Sequence, residues 1–500
     1  MPEAQRELLE VVSPRTGTVI ATVPIDGPDE VRAAIARARA TQLTWRSLEV
    51  GERVAHLRKV RRAFANGIDE LARLVSEETG KPRPDAVVEC AAAPPMWSYV
   101  IGAAERALRP ERLSTRPFLV KQAWMERSPY GVVGVIGPWN YPVGIPNQVL
   151  PWVLACGNTA VFKPSELTPR SGQLLGELIN SAGLSLVEVV VGAGPTGEAL
   201  VTGGVDKIEF TGSGPTARRI LSAAASSLTP TVMELGGKDA MIVCDDADIE
   251  RAARTAVGGA FSNAGQTCMA VERVYVLPGA WDSLRERVLA LTDELRVGGD
   301  DDSHVGPVTD PRQLPIIEAR LEEAVAGGAT ILRGGRRADR KAGSWFEPTV
   351  VVDVPDDCAL AQEETFGPVL QLRMVASEDE AVDRTNDSAL GLSASVFSKD
   401  QGRARRLASR LETGGVNIND ALVGAGLASV PFGGEKQSGF GRLQGKAGFD
   451  EFSRRRAVVT DRFPGVPGLT AAMFTGRRPS SRVVSRAVRL VWGRGKGGDS

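Results

Sequence analysis

Cys268 ends the run Phe261-Ser262-Asn263-Ala264-Gly265-Gln266-Thr267-Cys268, a glycine- and polar-rich loop after a helical segment. A cysteine so placed is where a thiol nucleophile is exposed. Glu234, in Met233-Glu234-Leu235-Gly236-Gly237-Lys238, stands at a strand end before two glycines, so its carboxylate can face a site without steric shielding. In the stiff loop Pro138-Trp139-Asn140-Tyr141-Pro142, the Asn140 amide is a donor for a developing oxyanion. Two further segments suit a dinucleotide. In Phe162-Lys163-Pro164-Ser165-Glu166, Lys163 can hold a ribose hydroxyl or a phosphate, and Glu166 can accept from a ribose 2′-hydroxyl. Phe210-Thr211-Gly212-Ser213-Gly214 joins a strand to a helix, where free backbone N–H groups meet a pyrophosphate. Singly, each has a plainer reading. Cys268 can be inert and buried, as Cys90, Cys156, Cys244 and Cys358 are read; Glu234 can be a surface ion pair, and Asn140 an ordinary turn residue.

These residues need a frame. Residues 131–137 (GVVGVIG), 159–162, 187–191, 207–210, 232–235 and 240–243 read as short apolar strands. They alternate with helices at 174–179 and 217–224, which argues for a parallel sheet covered by helices on both faces. The strand at 187–191 ends in Gly192-Ala193-Gly194. A second alternating block, 248–425, holds a helix at 249–260, a strand at 271–276, a helix near 281–295 and a last strand at Val416-Asn417-Ile418-Asn419. Ahead of both, residues 28–47 and 51–78 repeat apolar residues at helical spacing, and Gly80-Lys81-Pro82 stops the second helix. Residues 118–127 alternate as an exposed strand.

Composition narrows the chemistry. The chain has 500 residues, which allows about two to four domains. Lys+Arg is 60 and Asp+Glu is 61, so the net charge of −1 excludes a generally basic nucleic-acid coat. Only two histidines occur, His56, read as a surface residue, and His304, in an acidic loop with Asp300, Asp301 and Asp302, which leaves little for histidine-based metal sites or Ser-His-Asp catalysis. Five cysteines with no CxxC pair argue against a disulfide framework and for a reduced, cytoplasmic setting. The first residues, MPEAQRELLE, lack the apolar core of a signal peptide. Residues 128–162 carry no charge over a membrane-spanning length, but Pro129, Pro138, Pro142, Pro146 and Pro151 mark them as buried strands and loops. Beyond Phe463 the composition turns to Arg, Gly and Pro. Residues 464–500 carry +6 against −7 for the rest. There Val484, Val488 and Val491 share one helical face and Arg482, Arg486 and Arg489 another, a basic amphipathic pattern suited to weak peripheral membrane contact. A solvated, poorly ordered terminus, with Pro479 and the glycines limiting any helix, is the plainer reading of that tail.

The motifs PWNYP, FKPSE, FTGS, ELGGK, FSNAGQTC, EETFGPV and PFGGEKQSG stand in that order, with Cys268 34 residues after Glu234 and Glu364 96 after Cys268. Over about residues 11–459 the chain resembles the NAD(P)-dependent aldehyde dehydrogenase superfamily. The resemblance implies an α/β fold of three parts. A doubly wound, Rossmann-like NAD-binding domain takes 1–116 and 132–234, and an α/β catalytic domain 235–435. A small β oligomerisation arm takes 117–131 and 446–463, and the basic tail, 464–500, lies beyond the usual end of the family. It also implies roles. Cys268 attacks the aldehyde, Asn140 and the Cys268 N–H hold the oxyanion, Glu234 activates water, and Lys163 assists. Lys163, Ser165 and Glu166 hold the adenosine ribose, Ser213 the pyrophosphate and Glu364 the nicotinamide ribose, while Trp139 and Phe366 border the cofactor. Ile136, Gly194, Gly212 and Leu235 complete the cofactor site. The implied cofactor is NAD, with NADP as the alternative. The partners are a small-molecule aldehyde and a second copy in a homodimer or homotetramer, with no nucleic acid and no metal. Glu234 argues against an acylating enzyme that passes the thioester to coenzyme A. The intact Cys268, Glu234 and Asn140 argue against a non-catalytic descendant. Tyr141, Val143, Thr267, Met269 and the small apolar loop 421–430 would border the substrate, pointing to an apolar aliphatic or aromatic aldehyde, with a semialdehyde as the alternative. Ala217 stands where the family commonly has glycine, and its methyl would bear on the pyrophosphate site.

Overall fold

The computed structural model describes residues 6–116, 118, 120–463 and 480–493. Every residue of Val132–Ile136 and Thr159–Lys163 is buried, as strands covered on both faces must be. They lie in a six-stranded sheet in the order 439–440, 231–234, 207–211, 132–136, 159–163, 187–189. The pairs are parallel except the first, where Gly439–Phe440 runs antiparallel to Thr231–Glu234. Alternate residues face two apolar layers. Val132, Ile136, Val161 and Ile208 pack with Val31, Ile35, Leu200 and Ile220. Val133, Val135, Ala160 and Phe162 pack on the other side with Leu57, Phe64, Trp97, Trp152 and Leu175. The chain leaves Val132–Ile136 and later returns on its other side, so strand order reverses there. The crevice beyond the carboxyl ends at such a reversal is where doubly wound sheets bind ligands. The loop 138–142 and Lys163 sit at those ends.

A seven-stranded sheet follows, ordered 330–333, 349–352, 369–374, 273–276, 240–243, 393–397, 415–418, parallel but for its first pair. Helix Ile249–Phe261 packs on it and delivers the chain to Cys268.

Several expectations are corrected. The helix foreseen at 51–78 is two, Val50–Asn66 and Ile68–Thr79, because the chain turns at Gly67, where a Cβ would press on Leu178. His56 is half-buried, with its ring edge-on to Trp45 at 5.6 Å, because the helix turns it toward the core and not to solvent. After Gly192-Ala193 the chain enters helix Gly194–Thr202, and helices Arg83–Ala91 and Ala93–Leu108 were not foreseen. Within 128–162, the strands are joined by a short helix, Leu150–Ala155, as well as loops. Among the described residues no helix is long and apolar enough to cross a membrane.

The described residues of 109–127 and 455–500 group as a second unit apart from 1–108 and 128–454. Strands Glu111–Leu113, Lys121–Pro129 and Ser453–Asp461 form a three-stranded sheet with Lys121–Pro129 in the middle. Pro117, the first residue of the expected arm, lies outside the described residues. Of the basic tail, residues 480–493 are described. They contain the helix Ser481–Trp492, started by the Ser480 hydroxyl, which accepts from the Val483 N–H at 3.4 Å. This helix lies between Pro479, ahead of the cap, and the glycines after its last turn, and the side chains described on it are exposed, as a solvated terminus requires. Arg477, Arg478, Arg494 and Lys496 lie outside the described residues.

Candidate active site

The loop that carries Cys268 is held in a conformation the backbone does not choose freely. Helix Ile249–Phe261 stops, and Asn263 (φ 52°), Ala264 (φ 55°) and Gly265 (φ 71°) follow in the left-handed region. For residues with a Cβ this costs about 1–2 kcal/mol each, so neighbours must enforce it. They do so through amides. Asn263 Nδ2 donates to the Asn140 carbonyl at 3.0 Å. Gln266 Nε2 donates to the Asn263 carbonyl at 2.7 Å, and Gln266 Oε1 accepts from the Thr309 N–H at 2.8 Å. The turn ends with Cys268 half-buried, whereas Cys90, Cys156, Cys244 and Cys358 are buried. Burial pushes the Cys268 thiol up, and the nearby carboxylates Glu364, Asp239 and Glu234 push it further. Three acids therefore lie within electrostatic reach of one thiol.

Asn140 is buried at the same place. Its Nδ2 donates to the Gln266 carbonyl at 2.9 Å, which spends one of its two N–H bonds and leaves the other to donate. Its own carbonyl accepts from Lys81 Nζ at 2.8 Å. Lys81 is paired with Glu89 at 2.6 Å, both side chains being almost fully buried. The other Glu89 oxygen accepts from the N–H groups of Val143 and Gly144 at 2.9 and 3.0 Å. A buried ion pair thus pins the 138–142 loop from below. Sequence reading took Lys81 for part of a helix stop and missed Glu89. Their partners are about 60 residues away, and no local pattern marks them. Tyr141 bonds Thr267 through their hydroxyls at 2.9 Å. Val143, expected at the substrate, lies in the apolar core because Glu89 fixes its backbone inward.

Glu234 ends its strand with both carboxylate oxygens buried and without a hydrogen-bond partner among the described residues. Burial holds its carboxyl well above the ordinary range. Glu209 adds to the shift, and Arg442 offsets part of it. Glu209, bonded to the Thr211 hydroxyl at 2.9 Å, is itself pushed up by burial to about 8. Gly433, the first of the paired glycines in PFGGEKQSG, is needed here, since a Cβ would come within 2.9 Å of the Glu234 carboxylate.

The residues expected at a dinucleotide are gathered by the two sheets. Lys163 is buried, with Nζ donating to the carbonyls of Pro164 and Gly192 at 2.9 Å, and burial lowers its pKa. Half-buried Glu166 accepts from the Ser165 hydroxyl at 3.3 Å. Gly194 and Gly214 begin helices, with Gly212 and Ser213 just ahead of the second. Free N–H groups of those first turns suit an anion. Ala217 buries its methyl in the apolar layer beneath that helix, so the expected crowding of an anion at Ser213 is corrected. Ile136 and Leu235 belong to the same layer. Trp139 and Phe366 meet edge-to-face at 5.4 Å. Glu364 lies against Gly236, where a Cβ would collide with its carboxylate, and accepts from the Gly237 N–H at 3.2 Å. Burial, then the charge of Glu272, pushes it up to about 8. The missed pair behind it is Lys238 and Glu272, both buried and bonded to each other. Glu272 accepts from the Thr365 N–H at 2.9 Å, and so fixes the EETFGPV turn. A 540 Å³ open cleft lined by Asp248, Glu250, Arg254, Ser262 and Asp420 contains none of the residues expected to do chemistry.

The sequence model of the aldehyde dehydrogenase family matches residues 1–458, and the chain belongs to that family, whose members depend on NAD or NADP. The 4,4'-diapolycopene aldehyde oxidase of Methylomonas sp is 39% identical over 463 residues, 91% of this chain and 86% of its own. A succinate-semialdehyde dehydrogenase [NADP(+)] of Escherichia coli is 34% identical over 456 residues, 89% of this chain and 93% of its own. The crystal structure of an NAD-dependent aldehyde dehydrogenase from Sinorhizobium meliloti matches with a TM-score of 0.89 at 34% identity, over 93% of each chain.

Proposed function

We propose that this enzyme oxidises an apolar aliphatic or aromatic aldehyde to its carboxylic acid, with NAD as acceptor and water as the final nucleophile. Cys268 Sγ adds to the carbonyl carbon and gives a thiohemiacetal. Its oxyanion takes the second N–H of Asn140 and the Cys268 N–H. NAD supplies the hydride acceptor when bound. Lys163, Ser165 and Glu166 hold its adenosine ribose, Ser213 and the helix start at Gly194 its phosphates, and Glu364 its nicotinamide ribose. The thioester left on Cys268 is hydrolysed by a water whose proton goes to Glu234, and the thiol is restored as the acid leaves. The observation that carries this reading is Glu234, a buried carboxylate with two unpartnered oxygens and a raised pKa within electrostatic reach of Cys268. A carboxylate whose proton affinity is raised by burial is suited to take a proton from water.

The carboxylate of Glu166 repels a 2′-phosphate, which favours NAD over NADP. The loop 421–430, ALVGAGLASV, has no charged side chain, and Val423, Leu427 and Val430 are exposed on it, which favours an apolar substrate. The Methylomonas relative, named for 4,4'-diapolycopene aldehyde, supports the same choice. The relative named for succinate semialdehyde supports the charged alternative. Five free cysteines suit a reducing cytoplasm. The edge strand Ser453–Asp461, with exposed Val459, suits pairing with a second copy in a homodimer or homotetramer. The deciding experiment is NADH formation without coenzyme A from octanal, benzaldehyde and succinate semialdehyde, ranked by kcat/KM. The two apolar aldehydes lead if the reading is right. A lead for succinate semialdehyde overturns the substrate, and a requirement for coenzyme A overturns hydrolysis.

A further inference from the structure

The helix Ser481–Trp492 carries features that the oxidation of an aldehyde does not use. Along it Val484 and Val488 recur at a step of four, and Val483 and Leu490 extend that stripe. Arg482, Arg486 and Arg489 recur at the same steps on the opposite side, and the helix contains no acidic residue. The division is nearly complete, with one face apolar and the other basic. Side chains that a folded domain would bury are in the open here. Val483 is 61% exposed and Leu490 58%, with Val484 and Val488 close to half. The Ser480 hydroxyl caps one of the free N–H groups at the helix start.

The charge distribution selects the surface that would cover it. Residues 464–500 carry +6 and the other residues −7, so the tail is repelled by anything basic and the body by anything acidic. Net charge therefore favours an anionic surface meeting the tail first. A helix of this length with arginines beside an apolar stripe lies flat at a lipid interface, valines among the acyl chains and guanidiniums at the phosphates. We propose that Ser481–Trp492 docks the enzyme on anionic bilayer surfaces. If the apolar-substrate reading also holds, the enzyme would take its aldehyde from the phase in which such molecules accumulate. The docking stands without that reading.

The test is co-sedimentation of the full chain with phosphatidylcholine vesicles and with phosphatidylcholine vesicles containing phosphatidylglycerol, at low and high salt. Two variants accompany it, Arg482→Gln/Arg486→Gln/Arg489→Gln and Val484→Asp/Val488→Asp, each assayed on benzaldehyde to show an intact active site. Binding is expected only with phosphatidylglycerol, weaker at high salt. The triple arginine variant should lose on the order of a hundredfold in partitioning, at about fivefold per charge. The valine variant should lose binding although its charge is only two units lower, and both should keep the parent's rate on benzaldehyde. Equal binding to both vesicle types, binding that survives either variant, or no binding by the full chain overturns the proposal. So does a larger particle in light scattering that the valine variant abolishes while vesicles stay unbound, which would give the face to a second copy. A failed aldehyde panel with intact vesicle binding would overturn the substrate reading alone.

Discussion

Replacing Lys81 tests whether the oxyanion donor is set by a charge pair beneath it. Lys81 and Glu89 are 2% and 1% exposed at their side chains, so neither charge has water to fall back on. Breaking a pair so buried costs about 3–5 kcal/mol, because the remaining charge is left uncompensated. In Lys81→Met, Glu89 keeps the N–H groups of Val143 and Gly144, which places the loss near the lower end, about 3 kcal/mol. In Glu89→Ala the ammonium and both N–H groups lose their acceptor, so the loss is about 5 kcal/mol or more. That is a large share of the roughly 5–15 kcal/mol that holds a domain together, so Lys81→Met is the variant to read kinetically. Its Asn140 carbonyl loses the Lys81 donor at 2.8 Å but keeps Asn263 at 3.0 Å. Outright loss of an oxyanion donor lowers kcat by about 10²–10³, and loosening one should cost about tenfold. Urea unfolding gives the stability, and the stopped-flow burst of NADH gives the acylation rate, with KM for NAD expected to stay unchanged. A Lys81→Met enzyme with a burst rate within about twofold of the parent and a stability loss under about 1 kcal/mol would refute the reasoning.

Cys268→Ala should abolish steady-state NADH formation and leave NAD binding nearly intact, measured by turnover and by fluorescence titration; residual steady turnover would remove Cys268 from the chemistry. Glu234→Gln should give a burst of one NADH per site and then slow release of acid, and a lost burst with slow steady turnover would count against Glu234 as the deacylating base. In the parent, deacylation should rise with pH through a value well above the ordinary carboxyl range, because the base works deprotonated and its folded pKa is raised. The sign for stability is opposite. A raised folded pKa favours folding below the unfolded value, and that advantage is lost as pH rises through the folded one. Gln at 234 should flatten that loss in urea titrations run above the ordinary carboxyl range. Glu166→Ser should raise kcat/KM for NADP relative to NAD by about tenfold, one like-charge contact's worth, and an unchanged ratio would move cofactor choice elsewhere.

What could be read from the sequence was whatever sits in a short run. Asn140, Glu234, Cys268 and Glu364 each lie in a motif whose glycines and prolines shape a turn, and their order along the chain named the family. The residues that hold them were not legible, because their partners come from distant elements. Lys81 meets Asn140 across 59 positions and Lys238 meets Glu272 across 34. Nothing in Arg83–Ala91 distinguishes Glu89 from a solvated helix glutamate until the 138–142 loop is folded over it. The split at Gly67 shows the same limit. Apolar spacing continues through the glycine, and the close approach of Leu178, which leaves little room for a Cβ there, exists only in the assembled fold. Asn263 was in plain view within FSNAGQTC, and its tolerance of the left-handed region was the available signal.

The strand ending in Glu234 has its outer neighbour in Gly439–Phe440, and the core beneath it is closed by Leu443, Phe449 and Phe452. On a ribosome the first half of this protein therefore waits. Between Glu234 and Phe449 lie about 215 residues, roughly 10–40 s of synthesis at 5–20 residues per second. Through that interval the 231–234 edge of the nascent sheet lacks its outer strand, and Trp152 lacks the Gly445 carbonyl it will later bond. Glu234, the proposed base, is thus on a strand that gains its outer neighbour late. A chain released early, or stalled before its final sixty or so residues, would carry every side chain proposed for catalysis on a sheet still open to pairing with another nascent chain.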